Sequence, residues 1–210
     1  MDFLSGWMTV LVVGFLAVAA PGPDFAMTLR NSLVYSRRAG LLTALGISMG
    51  LTVHIGYTMI GAGVLVSSSA LLFNVLKWLG AAYLIWVGFS AIRAGKSSPP
   101  ETGGETVREM SAFSAWRKGF LTNVLNPKAP LFFLALYTQV LDPQTPLFAQ
   151  AIYGLTLMIE ALLWFSLVAL LVSHPRVRQG FMAITHWVER LIGVAFIALG
   201  LRLALSRAIQ

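Results

Sequence analysis

The sequence predicts an all-α polytopic membrane protein, a class indicated by its composition, its apolar segments and the placement of its charges. Of the 210 residues, 57% are hydrophobic and 11% are charged, and the mean hydropathy is +0.77. Soluble domains carry roughly 25% charged residues, so this chain lacks the polar surface that a soluble, disordered or nucleic-acid-binding protein requires. A helical span takes about 20 apolar residues, so the chain has space for at most six or seven spans and for no separate soluble domain.

Six apolar segments are expected to be helices, because the lipid interior offers no water to satisfy backbone groups. The alternating polarity that a lipid-facing β-barrel needs is absent from them. In chain order they cover residues 3–20 (continuing to 34 after a break), 41–66, 71–92, 119–140, 147–172 and 181–205. Together they predict one transmembrane domain over residues 1–210, whose single long loop covers about residues 94–117.

Basic residues gather in the first, third and fifth loops. They are Arg30, Arg37, Arg38, Arg93, Lys96, Arg108, Arg117, Lys118, Arg176 and Arg178. The second loop has only Lys77, and the fourth has no basic residue. Because positively charged loops stay in the cytoplasm, both termini are predicted to lie outside. The net charge of +7 is therefore interpreted as a topology signal and not as a nucleic-acid site.

The two halves of the chain resemble each other. Residues 14–16 and 119–121 share the letters Gly-Phe-Leu, and each triplet precedes a helix break at the same spacing. We expect a first repeat over about residues 1–95 and a second over about 118–210. Each repeat has three spans, an odd number, so the second repeat is inverted relative to the first. Broken helices at corresponding positions, here helices 1 and 4, are typical of inverted-repeat secondary transporters.

The first break contains Pro21, Gly22, Pro23 and Asp24. The prolines remove two backbone donors and stop the helix, and the glycine permits the turn between them. Pro23 suits the first position of a new helix, whose free N–H groups are suited to a carboxylate. A charge such as Asp24 at membrane depth indicates a functional site. The alternative is that Asp24 only complements the helix N-terminus near the cytoplasmic face.

The second break contains Asn126, Pro127 and Lys128. Pro127 again opens a helix, and Lys128 is expected near the middle of the membrane. A buried lysine needs a partner, and Asp24 is the symmetry-related candidate. The alternative is a lysine that extends to the interface.

Three further polar residues lie within or next to apolar segments. Glu160 is a candidate for binding a proton or a substrate amine, with a structural hydrogen bond as the alternative. His54 is a weaker candidate for a proton or substrate contact. Asn31 follows the first break by two turns, which places it on the side of the same expected cavity.

Other chemistry has little support in the sequence. There is no Cys, and no phosphate-binding, dinucleotide-binding or zinc-protease motif is found, so we expect no metal and no cofactor. Residues 46–50 match the nucleophile-elbow pattern, but they lie in an apolar helix and not in a strand–turn–helix. Gly46 and Gly50 instead predict a small-residue packing surface, which is also compatible with a homodimer. An enzyme is therefore not expected.

The motifs in this order resemble the lysine exporter/homoserine-threonine resistance (LysE/RhtB) family of bacterial amino-acid exporters. The resemblance rests on the two breaks, on residues 36–40 leading to Gly46, on residues 80–84 with Gly88, and on Gly193 with Gly200. The family often has Gly where Ser36 stands. The resemblance implies six spans, efflux of amino acids or their derivatives, and coupling to the proton gradient across the bacterial inner membrane.

We therefore expect a secondary exporter for a small amino acid. In this hypothesis, the helix N-terminus at Pro23 and Asp24, or Lys128, holds the substrate carboxylate. Asp24 or Glu160 holds the ammonium group or exchanges a proton. Two alternatives stay open: a passive pore that uses the same polar residues, and a membrane-embedded enzyme or non-transporting partner subunit.

Overall fold

The structure, a computed structural model, describes residues 3–68, 70–93, 109–126, 128–140, 145–173 and 175–205. All regular structure in these residues is α-helical, as the sequence predicts. The helices are α1 (Phe3–Ala19), α2 (Pro23–Val34), α3 (Arg37–Ser68), α4 (Ala70–Arg93), α5 (Ala112–Val124), α6 (Lys128–Val140), α7 (Leu147–Val172) and α8 (Pro175–Leu205).

Two helices begin well before the apolar segments that predict them. α5 begins at Ala112 because the Ser111 side chain accepts a hydrogen bond from the backbone N–H of Ser114 at 3.2 Å, which caps the helix. α8 begins at Pro175, a residue suited to a first helical position. Hydropathy indicates where a helix contacts lipid, so it does not predict the polar first turns of these two helices.

Length and composition identify the strongest membrane-crossing helices. Within the described residues, Arg37–Met59 of α3 and the whole of α7 are each long and apolar enough to span a membrane. α1 and α2 would form a third span as one pair, bent by 56° at the break between them. The exterior is correspondingly apolar: Trp86, Leu163 and Leu191 are all more exposed than buried, which is typical of a lipid-facing surface. The full count of six spans remains a prediction.

Contacts between helices occur in pairs that match across the two halves. α1 packs against α7 as α5 packs against α3, and α2 packs against α5 as α6 packs against α1. α3 with α7, and α4 with α8, pack across the middle. In this arrangement the four shortest helices lie around the region between the two halves. They are α1, α2, α5 and α6.

Glycines allow the closest of these contacts. A Cβ atom at Gly46 would collide with the backbone carbonyl of Trp116, and one at Gly119 would collide with the backbone of Thr43. α3 and α5 therefore touch backbone to backbone. The Ser48 hydroxyl donates to the carbonyl oxygen of Met158 at 2.8 Å. Residues 46–50 thus form a packing surface within the chain, as the small-residue interpretation predicts.

Candidate functional site

The first break (residues 21–24) joins α1 to α2. α1 ends at Ala19, and Gly22 precedes the first residue of α2, Pro23. Pro21 and Pro23 have no backbone N–H, so neither can continue the hydrogen bonding of α1. Asp24 is the second residue of α2, so its carboxylate lies at the helix N-terminus, where negative charge is stabilised.

The second break (residues 126–128) joins α5 to α6. The side-chain oxygen of Asn126 accepts a hydrogen bond from the backbone N–H of Lys128 at 3.0 Å. Asn126 therefore satisfies an N–H group at the start of α6 that would otherwise have no partner. Lys128 is the first residue of α6. Pro127, predicted to open this helix, lies outside the described residues.

The two breaks lie next to each other, and the charged side chain at each break is hydrogen-bonded by groups at or beside the other. The amide groups of Asn123 and Asn126 both donate to Oδ2 of Asp24, each at 3.0 Å. In return, Nζ of Lys128 donates to the carbonyl oxygen of Ala20 at 2.8 Å. Ala20 follows the last residue of α1, where a cation is stabilised by the helix dipole. Three hydrogen bonds between the two halves of the chain thus converge on one place.

Asp24 and Lys128 share this place without sharing a hydrogen bond. Oδ2 of Asp24 is occupied by the two asparagines, while Oδ1 is buried and has no hydrogen-bond partner. The predicted Asp24–Lys128 pair is therefore not a direct hydrogen bond. An unsatisfied carboxylate oxygen is costly in a low-dielectric interior, which makes Oδ1 a strong acceptor for a ligand.

A cavity lies between the breaks, and we refer to it as the first cavity. Its polar wall consists of Asp24, Asn123, Asn126 and Lys128. Its apolar wall includes the rings of Phe25, Phe132, Phe133 and Phe165. The volume is about 50 Å³, several times the roughly 10–15 Å³ that one water needs. A small polar ligand with an apolar side chain matches this division of the walls.

His54 supports the first cavity from behind. Its side chain is only 1% exposed. Nε2 lies 3.0 Å from the carbonyl oxygen of Asn123, and Nδ1 lies 2.9 Å from the hydroxyl of Tyr57. The ring stacks on Phe133 with centroids 6.0 Å apart. His54 therefore positions two residues of the cavity wall.

Asn31 and Glu160 do not line the first cavity. Asn31 is fully buried and donates to the hydroxyl of Thr43 at 2.8 Å, which ties α2 to α3. Glu160 lies beside Gly14 of α1, where a Cβ atom would lie 2.8 Å from Oε2 of the glutamate. That Oε2 atom is buried and has no hydrogen-bond partner.

Asn123 is the site residue that sequence reasoning did not identify. It is 2% exposed, and it stands three residues before Asn126, so the two amides lie on one face of α5 and its C-terminal end. The sequence does carry a signal for Asn123: it forms a pair with Asn126 at helical spacing within an apolar segment, and buried amides need partners. The aromatic residues of the cavity wall carried no such signal, since 57% of the chain is hydrophobic and nothing in the sequence sets these rings apart.

Comparison with known proteins gives a consistent family assignment. The family described as LysE type translocator matches residues 15–207. The threonine efflux protein of Escherichia coli K12 is 29% identical over 202 residues, covering 96% of this chain and 98% of the relative. An uncharacterized membrane protein of Vibrio cholerae is 34% identical, with the same coverage of both chains.

A third relative is similar over a shorter range. The homoserine/homoserine lactone efflux protein of Salmonella typhimurium is 33% identical over 131 residues, which is 62% of each chain. No solved structure matches the chain.

Proposed function

The chain belongs to the LysE type translocator family, and we propose that it exports a small amino acid or a close derivative across the bacterial inner membrane in exchange for protons. Family membership confirms the resemblance seen in the sequence. Relatives named for the efflux of threonine and of homoserine and its lactone support an amino-acid substrate. The proposal places the substrate in the first cavity.

The proposal is carried by one observation. Hydrogen bonds join the two breaks, and beside them Oδ1 of Asp24 is buried without a hydrogen-bond partner. A free amino acid carries one ammonium and one carboxylate group, both attached to its α-carbon. Oδ1 of Asp24 is the acceptor for the ammonium group, and Lys128 is the donor for the carboxylate. Charge-assisted hydrogen bonds of both kinds are stronger than neutral ones.

Lys128 must change its partner for this binding to occur. In the structure its Nζ donates to the carbonyl oxygen of Ala20. Lys128 also faces Gly22, where a Cβ atom would lie 3.8 Å from Cδ and 3.9 Å from Nζ of the lysine. The flexible four-carbon side chain of the lysine allows the ammonium group to turn toward a substrate carboxylate. The N-terminus of α2 adds a favourable dipole on the same side.

Proton exchange is assigned to Glu160 in this proposal. It is a membrane-embedded carboxyl group outside the first cavity, with one oxygen that has no partner. It lies between α7 and α1, the helix that leads into the first break. Protonation there removes a charge from the α1–α7 contact, and this change favours the return of the empty carrier.

The proposed membrane arrangement completes the mechanism. Six spans in two inverted repeats, with basic loops inside and both termini in the periplasm, place the breaks within the bilayer. Alternating access then consists of one repeat rocking against the other around the fixed site.

The test uses purified protein in proteoliposomes with labelled amino acids, beginning with threonine and homoserine. Asp24→Asn and Lys128→Ala are expected to lose gradient-driven transport. Glu109→Gln and Lys118→Ala, which change the same charges outside the cavity, are the matched controls and should transport normally. A pH step should drive accumulation against a gradient, which a passive pore cannot do. Full activity of both cavity variants would contradict the proposal.

A further inference from the structure

A second cavity lies beside the first and is lined by residues of α1, α3, α6 and α7. Its volume is about 30 Å³, enough for more than one water at roughly 10–15 Å³ each. Its lining contains three polar side chains, Thr58, Gln150 and Tyr153, among apolar ones. This cavity contains none of the charged residues of the two breaks.

The two cavities are stacked along the helix axes. On α3, Ile47 and Leu51 line the first cavity, whereas Ile55 and Met59 line the second. That offset of eight residues corresponds to about 12 Å along a helix.

The other helices show the same displacement. On α1, Ala17 lines the first cavity and Val10 lines the second; on α7, Ala161 lines the first and Gln150 the second. The second cavity therefore lies toward the N-terminal ends of α1 and α7. In the proposed topology this is the periplasmic side.

Two side chains, Phe133 and Leu157, line both cavities. They are buried, at 5% and 3% exposed. Phe133 is held by stacking on His54 and by an edge-to-face contact with Phe132, whose centroid is 5.7 Å away. A charged amino acid cannot pass two packed apolar side chains without losing its hydration, which is costly.

The second cavity offers an acceptor to an arriving ammonium group. Nε2 of Gln150 donates to the carbonyl oxygen of Thr145 at 2.9 Å, while its Oε1 is buried without a hydrogen-bond partner. A neutral acceptor holds an ammonium group less tightly than the carboxylate of Asp24 does. Weaker binding at a later position on the path favours release.

We propose that the second cavity, which becomes wide enough for an amino acid when it joins the first, is the next position of the substrate on its way out, and that Phe133 and Leu157 form the gate between the two cavities. This inference rests on the proposed export function for the identity of the substrate. The gate itself is a property of the two cavities. Movement of either side chain out of the boundary between the cavities joins them into one path.

The chain has no native cysteine, so single cysteines can test the gate in an otherwise unchanged protein. Thr58→Cys reports on the second cavity and Leu51→Cys on the first; the two positions lie seven residues apart on α3. The probe is a small, membrane-impermeant cationic methanethiosulfonate added to the periplasmic side of oriented vesicles. We expect Thr58→Cys to react readily and Leu51→Cys to react slowly.

Opening the gate should change the labelling rate mainly at Leu51→Cys, in the first cavity. With Phe133→Ala, the reaction of Leu51→Cys should accelerate by about tenfold or more, because a minor open state is populated at about 0.1–10% before the change. The rate at Thr58→Cys should stay within about twofold, which also shows that the variant is folded. Leu157→Ala tests the gate from the opposite helix.

Phe165→Ala is the matched control, since it removes a ring that lines only the first cavity. It should leave Leu51→Cys protected. Equal reaction of Leu51→Cys and Thr58→Cys without a gate substitution would overturn the inference, and so would an unchanged rate at Leu51→Cys in both gate variants. Labelling does not depend on an amino acid, so failure of the export function is detected separately, by the transport of labelled threonine.

Discussion

The first and second breaks occupy corresponding positions in the two halves of the chain, yet they carry opposite charges. The first break contributes the carboxylate of Asp24, and the second contributes the ammonium group of Lys128 together with the amide of Asn126. Each charge is held by atoms on the other side: Asp24 by two amides, and Lys128 by the carbonyl oxygen of Ala20. A repeat that had kept the same residues in both halves would have placed two like charges together.

In the proposed function, this difference between the breaks is what suits them to a zwitterion. Both breaks end one helix and start another, which provides polar backbone groups inside an apolar bundle. Opposite charges then allow a ligand that carries both signs to contact both halves at once. In the proposed alternating access, contacts that are shared between the halves are also the ones that change.

The largest expected effect comes from removing either charge. Asp24→Asn and Lys128→Met should each weaken the binding of the transported amino acid by about 10- to 100-fold, the range for a hydrogen bond to a charged group. Scintillation proximity with labelled ligand measures this directly. Glu109→Gln and Lys118→Met are the controls and should bind normally.

The same two variants should differ in thermal stability. Asp24→Asn keeps an oxygen that accepts from Asn123 and Asn126. Lys128→Met leaves the carbonyl oxygen of Ala20 without its donor, which costs about 1–3 kcal/mol when the group is buried. Lys128→Met should therefore melt at a lower temperature in detergent. A lower melting temperature for Asp24→Asn than for Lys128→Met would contradict the assigned contacts.

A smaller effect is expected from the amides of the second break. Asn126 holds Asp24 and also caps α6, whereas the amide of Asn123 donates to Asp24. Asn126→Ala should reduce ligand affinity about tenfold and also lose about 1 kcal/mol of helix capping. Asn123→Ala should cause a smaller reduction.

Asn31→Ala is the control for the amide variants, because Asn31 is a buried asparagine that bonds to Thr43 outside the first cavity. Its ligand affinity should stay unchanged even if its melting temperature falls. If it lost affinity as Asn126→Ala does, the measurement would be reporting general destabilisation.

Substitution of His54 should reduce ligand affinity more modestly, because His54 acts through the cavity-wall residues that it positions. His54→Phe keeps a ring against Phe133 but loses the hydrogen bonds to Asn123 and Tyr57. A net loss of about 1 kcal/mol corresponds to a roughly fivefold drop in affinity, measured in the same binding assay. A loss as large as that of Asp24→Asn would indicate direct substrate contact instead.

The smallest effect on binding is expected at Glu160. Glu160→Gln should change affinity by no more than about twofold, as a substitution outside the site does. Counterflow should persist, while stimulation by a pH gradient should disappear. Persistent stimulation by the pH gradient would remove Glu160 from the proton pathway.

The sequence predicted the breaks because proline and glycine act locally. Pro21, Pro23 and Gly22 stop and restart a helix whatever surrounds them. Charges at the start of the new helices, Asp24 and Lys128, could be singled out for the same reason, since their cost in a membrane does not depend on the details of packing.

The orientation of side chains on the continuous helices could not be predicted in this way. α7 is apolar on all faces, so no hydrophobic periodicity shows which side of it Glu160 occupies. Asn31 follows Asp24 by seven residues, a spacing that predicts the same face of α2. α2 packs between several helices, and Asn31 contacts α3 through Thr43 instead of the cavity. Such choices depend on tertiary packing.

In the proposed function each break recognises one end of a free amino acid, and ligands with one end chemically blocked test this recognition. The measurement compares the amino acid with the strongest counterflow, its methyl ester and its N-acetyl derivative, in the unaltered protein, Asp24→Asn and Lys128→Met. Asp24→Asn should lose discrimination against the N-acetyl derivative only, and Lys128→Met against the methyl ester only. Equal weakening of all three ligands by both variants, or discrimination that neither variant changes, would contradict recognition by the two breaks.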